Sequence, residues 1–231
     1  MKLNLNLKLK TFLSQLSTDA KEDTDLNQRR ILLFSLLFLV CFLLVAYFKE
    51  TFKPIDSSVN IWSGSINSGS FALSAQIISV VFDTTALVVF SVVLSILLFV
   101  LHQRRYGALL LGAMAGDALL VTLFKTVIMS SRPLNGIIIE AGYSFPSGHT
   151  TSCVIFFGVI TYFVWNQWRS FKFKASTAGL YVSVTAVVGF DRIYLNVHWF
   201  SDIIGAVLLG VFWLALCIFL FKTYLSKSSK S

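Results

Sequence analysis

Two stretches hold nearly every side chain able to do chemistry: KTVIMSSRPLNGIIIEAGYSFPSGH, ending at His149, and DRIYLNVHWFSD, ending at Asp202. Lys125, Arg132 and Arg192 supply three cations. Arg offers a planar fork of donors and Lys a point charge, a combination suited to a phosphate group. Ser147 and Gly148 add a hydroxyl and backbone N–H groups where a helix begins, a natural anion seat. Pro146, tolerated in a helix's first turn, helps present that end. His198 and Asp202 are four residues apart. If that segment is helical they share a face, and the carboxylate fixes one imidazole tautomer, leaving the other nitrogen as nucleophile or base. His149 is then a second imidazole, available to protonate a leaving oxygen. This inventory fits phosphoryl transfer through a phosphohistidine, with no metal or other cofactor.

The rest of the chain must position these groups, and its composition says in what solvent. Of 231 residues, 56% are hydrophobic and 13% charged, with a mean hydropathy of +0.77. Soluble domains carry about a quarter charged residues, so the solvent is lipid. Crossing the hydrocarbon takes roughly 20 apolar residues, and six stretches qualify: about 31–48, 84–101, 106–124, 150–165, 176–190 and 203–221. The expected fold is all-α, a polytopic membrane protein with six transmembrane helices over 31–224. A cytoplasmic tail, 1–30, precedes this domain and another, 225–231, follows it. The first span starts too late and runs too long for a cleaved signal peptide.

Charge distribution sets the topology. The tail to Arg30, the 102–105 turn, the 166–175 loop and the C-terminal tail hold all but five of the 19 Lys and Arg. With both termini cytoplasmic this obeys the positive-inside rule. Lys49, Lys53, Lys125, Arg132 and Arg192 fall on the outer side. The net charge of +8 is therefore topology, not a nucleic-acid footprint. His149 and Arg192 are 43 residues apart, about 65 Å of helix at ~1.5 Å per residue, enough for one helix in and another back. Both polar stretches thus meet at one membrane face, which this topology makes the outer one.

Other polar residues read more plainly. Cys41, Cys153 and Cys217 lie in apolar spans without CxxC spacing and behave as small hydrophobes. His102 snorkels in a cytoplasmic turn, Lys49 and Lys53 flank a span, and Glu140 belongs to a solvated loop. Tyr143 and Tyr194 suit interfacial packing or a lipid headgroup. Asp117, deep in the third span, faces the bundle interior and hydrogen-bonds there. Segment 49–83 is an outer loop in which Pro54 and the Ser/Gly cluster argue against a continuous helix. FALSAQIISVVF within it lies at the interface or re-enters, and Asp83 caps the next helix. The MKLNLNLKLK opening belongs to a mobile tail.

Three signatures in order carry a resemblance to a known family. Lys125, six residues, then Arg132-Pro133 resembles the first signature of the type 2 phosphatidic acid phosphatase superfamily, the integral-membrane lipid phosphate phosphatases. Pro146-Ser147-Gly148-His149 is similar to the second. Arg192, five residues, His198, three residues, Asp202 resembles the third. The likeness is strongest over 125–205. It implies a six-helix core with His198 as the phosphorylated nucleophile, Asp202 orienting it and His149 as general acid. Lys125, Arg132, Ser147, Gly148 and Arg192 would bind the phosphoryl group, without metal. Asp191 stands where the family commonly has Ser. A cationic neighbour is expected to neutralise it, shifting the pH optimum without abolishing activity.

The substrate class so implied is a membrane lipid carrying a phosphate or pyrophosphate, such as undecaprenyl diphosphate, phosphatidylglycerophosphate or phosphatidic acid, in a bacterial-type inner membrane. A phosphotransferase passing the same phosphoryl group to another lipid is the enzyme alternative, separated by whether free phosphate appears. A non-catalytic lipid-binding or transport protein is the rival from another class. It lacks a paired inverted repeat of broken spans and would not call for an Asp-held histidine.

Overall fold

The computed structural model describes residues 26–66 and 69–228, and among these every regular element is helical. Helix α1 (Leu26–Tyr47) leads through a 3-10 turn (Lys49–Phe52) into α2 (Lys53–Ser65) and α3 (Gly69–Val81). Then come α4 (Thr84–Val100), α5 (Arg104–Ile128), α6 (Gly148–Gln167), α7 (Phe171–Tyr194) and α8 (Phe200–Ser228). Five helices, α1, α5, α6, α7 and α8, are long and apolar enough to cross a membrane, and α3 with α4 makes a sixth candidate bent by 47° at the break.

Five of the six expected spans are therefore present as single helices, and the one expected over 84–101 is α4, which qualifies only together with α3. Segment 49–83 is helical and not a loop, although, as the Ser/Gly cluster implied, not one continuous helix, since α2 ends at Ser65 and α3 begins at Gly69. Pro54 sits in the first turn of α2, where its missing N–H would have had no partner and its fixed φ favours entry, so it starts a helix instead of preventing one. The apolar stretch 71–82, expected to lie at the interface or re-enter, is α3. It meets α4 at an elbow at Asp83 that suits a re-entrant segment as well as a broken span. The Asp83 side chain accepts from Thr85 N at 2.7 Å. The tail expected over 1–30 is helical from Leu26; residues 1–25 lie outside the described chain.

Helix α6 is the axis of the bundle, packed against α4, α5, α7 and α8. Its buried Cys153, Ile155, Phe156 and Val159 join Leu110, Met114 and Val188 in the main core. Large apolar side chains also cover the outside of α1, α4 and α7, among them Leu33, Leu37, Val93, Ile96, Leu180 and Val182. A soluble protein would not expose them so densely; here they face lipid. Asp117 is buried and accepts a hydrogen bond from Ser152 Oγ at 2.6 Å, tying α5 to α6 as the intramembrane acid was expected to do.

One ring connects this scaffold to the polar end. Phe145, fully buried, stacks on Phe42 of α1 with centroids 5.7 Å apart. It also lies so close over Gly205 of α8 that a Cβ there would overlap the ring. Gly205→Ala is expected to lower Tm and phosphate turnover together, because an overpacked core costs roughly 1–3 kcal/mol and the displaced ring leads directly into Pro146-Ser147-Gly148-His149. Gly179→Ala, where a Cβ meets nothing within 4 Å, should change neither. Thermal melts with turnover on both variants check this.

Candidate active site

The loop after α5, the start of α6 and the turn joining α7 to α8 converge at one end of the bundle. Helix α7 stops at Tyr194, and the chain turns through Asn196 in the left-handed region, φ 53°, which Asn tolerates. Asn60 of α2 donates to the Asn196 side chain at 2.8 Å. This turn, not a helix, carries His198, since α8 begins only at Phe200. The expected i,i+4 helical pairing is thus replaced by a turn closing on the first turn of α8. His198 Nδ1 lies 3.2 Å from Asp202 Oδ2, which also accepts from Trp199 N at 2.9 Å. With Nδ1–H donating to the carboxylate, Nε2 is left with its lone pair facing the neighbouring cations.

Those cations form a cradle. Arg132 is fixed by backbone carbonyls, its Nη1 donating to Val197 O at 2.8 Å and its Nε to Gly142 O at 3.1 Å. The same Nη1 lies 3.2 Å from His198 Nε2. Arg192, wholly buried, turns one edge to Asp191 through Nε at 3.0 Å and through Nη2. Its Nη1 lies 3.2 Å from His149 Nε2. The carboxylate at 191 is therefore paired with Arg192, as expected, although its Oδ1 is buried without a hydrogen-bond partner. His149 Nε2 also stands 3.4 Å from Asp83 Oδ2 at the α3–α4 elbow.

Three expected phosphate ligands are placed differently from one another. Ser147 caps α6, its Oγ accepting from Thr150 N at 3.5 Å, so the hydroxyl is engaged in holding the helix start. Pro146 precedes that cap and is not in the first turn. Gly148 opens the helix, and a Cβ there would come 3.2 Å from Thr84 Oγ1, so the missing side chain lets α4 approach. Lys125, in the last turn of α5, donates to Tyr143 O at 2.6 Å while remaining within electrostatic range of Arg132, Glu140 and Asp202.

Glu140 is the main correction. It is not a solvated loop residue: its Oε1 pairs with Arg192 Nη1 at 2.8 Å and its Oε2 with Arg132 Nη1 at 2.9 Å. The same Oε2 is 3.8 Å from His198 Nε2. Burial disfavours this charge, but the two histidines and two guanidinium groups outweigh it and hold its pKa below the ordinary 4.5. An anion thus already occupies the space between the two guanidinium groups. Glu140→Gln is expected to melt several degrees lower in phosphate-free buffer, because Arg132 loses its counter-charge and Arg192 one of its two. Millimolar orthophosphate should then raise its Tm more than the parent's, since a ligand that binds the folded state stabilises it by mass action. Equal phosphate shifts in the two proteins would mean Glu140 does not compete for the cradle.

Lys49 is likewise no mere flanking charge. Its Nζ lies 2.7 Å from Asp202 Oδ1, a contact across 153 residues that no local spacing signals. Asp83 and Asp56 were also beyond sequence reasoning as site neighbours, the first being legible only as a cap. Among the described residues no group of three or more His, Cys, Asp or Glu is arranged to hold a metal ion.

Comparison with known proteins adds four similarities. The family model described as PAP2 superfamily matches residues 106–225. A phosphatidylglycerophosphatase B of Bacillus subtilis (strain 168) is 31% identical over 116 residues, which cover 49% of this chain and 57% of that relative's length. The crystal structure of a transmembrane PAP2-type phosphatidylglycerolphosphate phosphatase from Bacillus subtilis superposes with a TM-score of 0.75 at 24% identity, covering 84% of this chain and 96% of that one. LpxE of Aquifex aeolicus superposes with a TM-score of 0.54 at 20% identity, covering 71% and 93%. These two likenesses extend the fold beyond the family-matched segment.

Proposed function

The chain belongs to the PAP2 superfamily, and from that premise we propose that it is a metal-independent lipid phosphate phosphatase working through a phosphohistidine. One observation carries the reading: His198 is oriented by Asp202 and presents Nε2 to a two-arginine cradle that already holds an anion. A phosphoryl group taking the place of the Glu140 carboxylate has its charge met by Arg132 and Arg192, with Lys125 nearby. His198 Nε2 attacks phosphorus, and the bond from phosphorus to the lipid oxygen breaks. His149 gives that oxygen its proton. A water then loses a proton to His149 as it attacks the phosphohistidine, breaking the P–N bond and releasing phosphate with neutral His198 restored. The guanidinium groups act most strongly on the charge that develops in each transition state.

The charge state suits this role. Burial lowers the His198 pKa below the ordinary 6.5, with Asp202 opposing. A depressed pKa keeps the imidazole neutral as pH falls, so the acid limb of kcat/KM that it governs lies below 6.5.

The basic residues favour an inner membrane with both termini cytoplasmic and the site at the outer face. Substrate candidates are lipids with a terminal phosphate or pyrophosphate; phosphatidylglycerophosphate is favoured by what the Bacillus subtilis relative is called. The test is phosphate release by detergent-purified protein in excess chelator, from phosphatidylglycerophosphate, phosphatidic acid and undecaprenyl diphosphate. Release that survives chelation supports the reading. Absence of release from all three, or its loss with the chelator, overturns it.

A further inference from the structure

We propose that Lys49, steadied by Asp56 and Ser201, is a positioning residue that pins Asp202 and through it aims His198 at the phosphoryl group. The inference rests on the phosphohistidine reading above and goes beyond it, because Lys49 and Asp56 lie outside the family-matched segment and belong to none of its three signatures.

The geometry is a closed chain of contacts. Lys49 Nζ donates to Asp202 Oδ1 and to Ser201 Oγ, each at 2.7 Å, and lies 4.0 Å from Asp56 Oδ2. Ser201 Oγ donates in turn to Asp56 Oδ2 at 2.6 Å, and Ser201 N donates to Asp56 Oδ1 at 2.8 Å. The Phe145 ring, 5.0 Å from Nζ, adds a cation–π contact. Asp202 thereby has both oxygens engaged, Oδ1 by Lys49 and Oδ2 by His198 and Trp199 N, so its carboxylate plane cannot turn. The network is shielded from solvent, with the side chains of Lys49, Asp56 and Asp202 only 11%, 5% and 0% exposed.

Shielding makes the pairing consequential. An unpaired buried carboxylate would be costly and would either rotate toward another donor or pull harder on the imidazole. By sharing the Asp202 charge, Lys49 lets the carboxylate orient His198 while favouring its protonation less. The other charged or titratable groups facing this pair are Arg132 and Glu140 from the loop after α5, Lys125 from α5, His149 from α6 and Arg192 from α7. None of these makes the hydrogen bond to Asp202 that Lys49 makes.

The test measures kcat, KM and pH profile for full-length Lys49→Met, Lys49→Arg and Asp56→Asn, on phosphatidic acid in detergent micelles. Activity of the parent and its loss in His198→Ala report separately on the underlying reading. Lys49→Met should lose about 10- to 100-fold in kcat with KM within about threefold, because orientation is lost while the cradle remains. Its acid limb should move up by about half a pH unit or more, since Asp202 then acts on His198 without a counter-charge. Lys49→Arg should recover part of both. Asp56→Asn should shift the limb the opposite way, downward, because Lys49 then pairs with Asp202 alone. A kcat loss in Lys49→Met that leaves the acid limb in place would make Lys49 merely structural and overturn the proposal, as would parental kinetics. If Lys49→Met does not fold, the direction of the Asp56→Asn shift decides: downward sustains the proposal, while no shift or an upward one overturns it.

Discussion

His198→Ala should reduce phosphate release by about 10⁴-fold or more, the scale of removing a nucleophile from a site whose groups act as a unit. Among the described residues the other groups at the cradle are placed differently. His149 has no counterpart of the Nδ1–Asp202 contact that orients His198, and the carboxylate of Glu140 is held by both guanidinium groups. Radiolabelled substrate should leave label on the chain in a rapidly quenched reaction, labile to acid and stable to base as a phosphoramidate is, and the alanine variant should carry none. Retention of more than a tenth of parental turnover by His198→Ala would end the phosphohistidine account.

The second large effect concerns Arg192, and here stability and catalysis separate. This guanidinium is buried and holds Asp191 on one edge and Glu140 on the other. Arg192→Ala should therefore lose about 3–5 kcal/mol of stability, the scale of breaking a buried ion pair from one side. It should also lose about 10²- to 10³-fold in kcat as a transition-state donor disappears. Arg192→Lys should remain severely impaired, since one ammonium cannot serve two edges with a planar fork. The double variant Arg192→Ala/Asp191→Ala is the decisive comparison. Removing the stranded carboxylate should restore much of the Tm but none of the turnover, because the two residues are coupled in folding and in the proposed mechanism only Arg192 meets the phosphate. If turnover returned with Tm, Arg192 would be a structural partner of Asp191 and not a phosphate ligand.

What the sequence made legible follows from which constraints are local. Bilayer thickness imposes a minimum apolar length, so the spans could be read directly, and the 43-residue separation of His149 from Arg192 brought the two polar stretches to one face. Residue types sufficed for the cradle of Arg132 and Arg192 and for the His198–Asp202 pair. The turn holding His198 was not visible, because four-residue spacing is satisfied by a helix and by a tight turn alike. Pro54 was misread because proline interrupts a helix interior but is welcome at its entry, and the residue alone does not say which. Glu140 and Lys49 escaped for another reason. Lys49 sits at a span end with its partner 153 residues away, and Glu140, though in the same loop as Arg132, takes its second guanidinium from 52 residues away. Only the folded chain brings a charge of opposite sign beside each of them.

The Phe145 ring has a consequence for how such proteins can be recombined. It is stacked on Phe42 of α1, lies near the Lys49 ammonium and is seated over Gly205 of α8. The second signature therefore leans on a residue from the first fifty positions and another from the last helix. A chimera that kept residues 106–225 and borrowed its leading helix from a distant relative would inherit every signature residue intact. It would still lack the partner surface for that ring, so the leading helix and the signature-bearing half are better exchanged as one heritable unit.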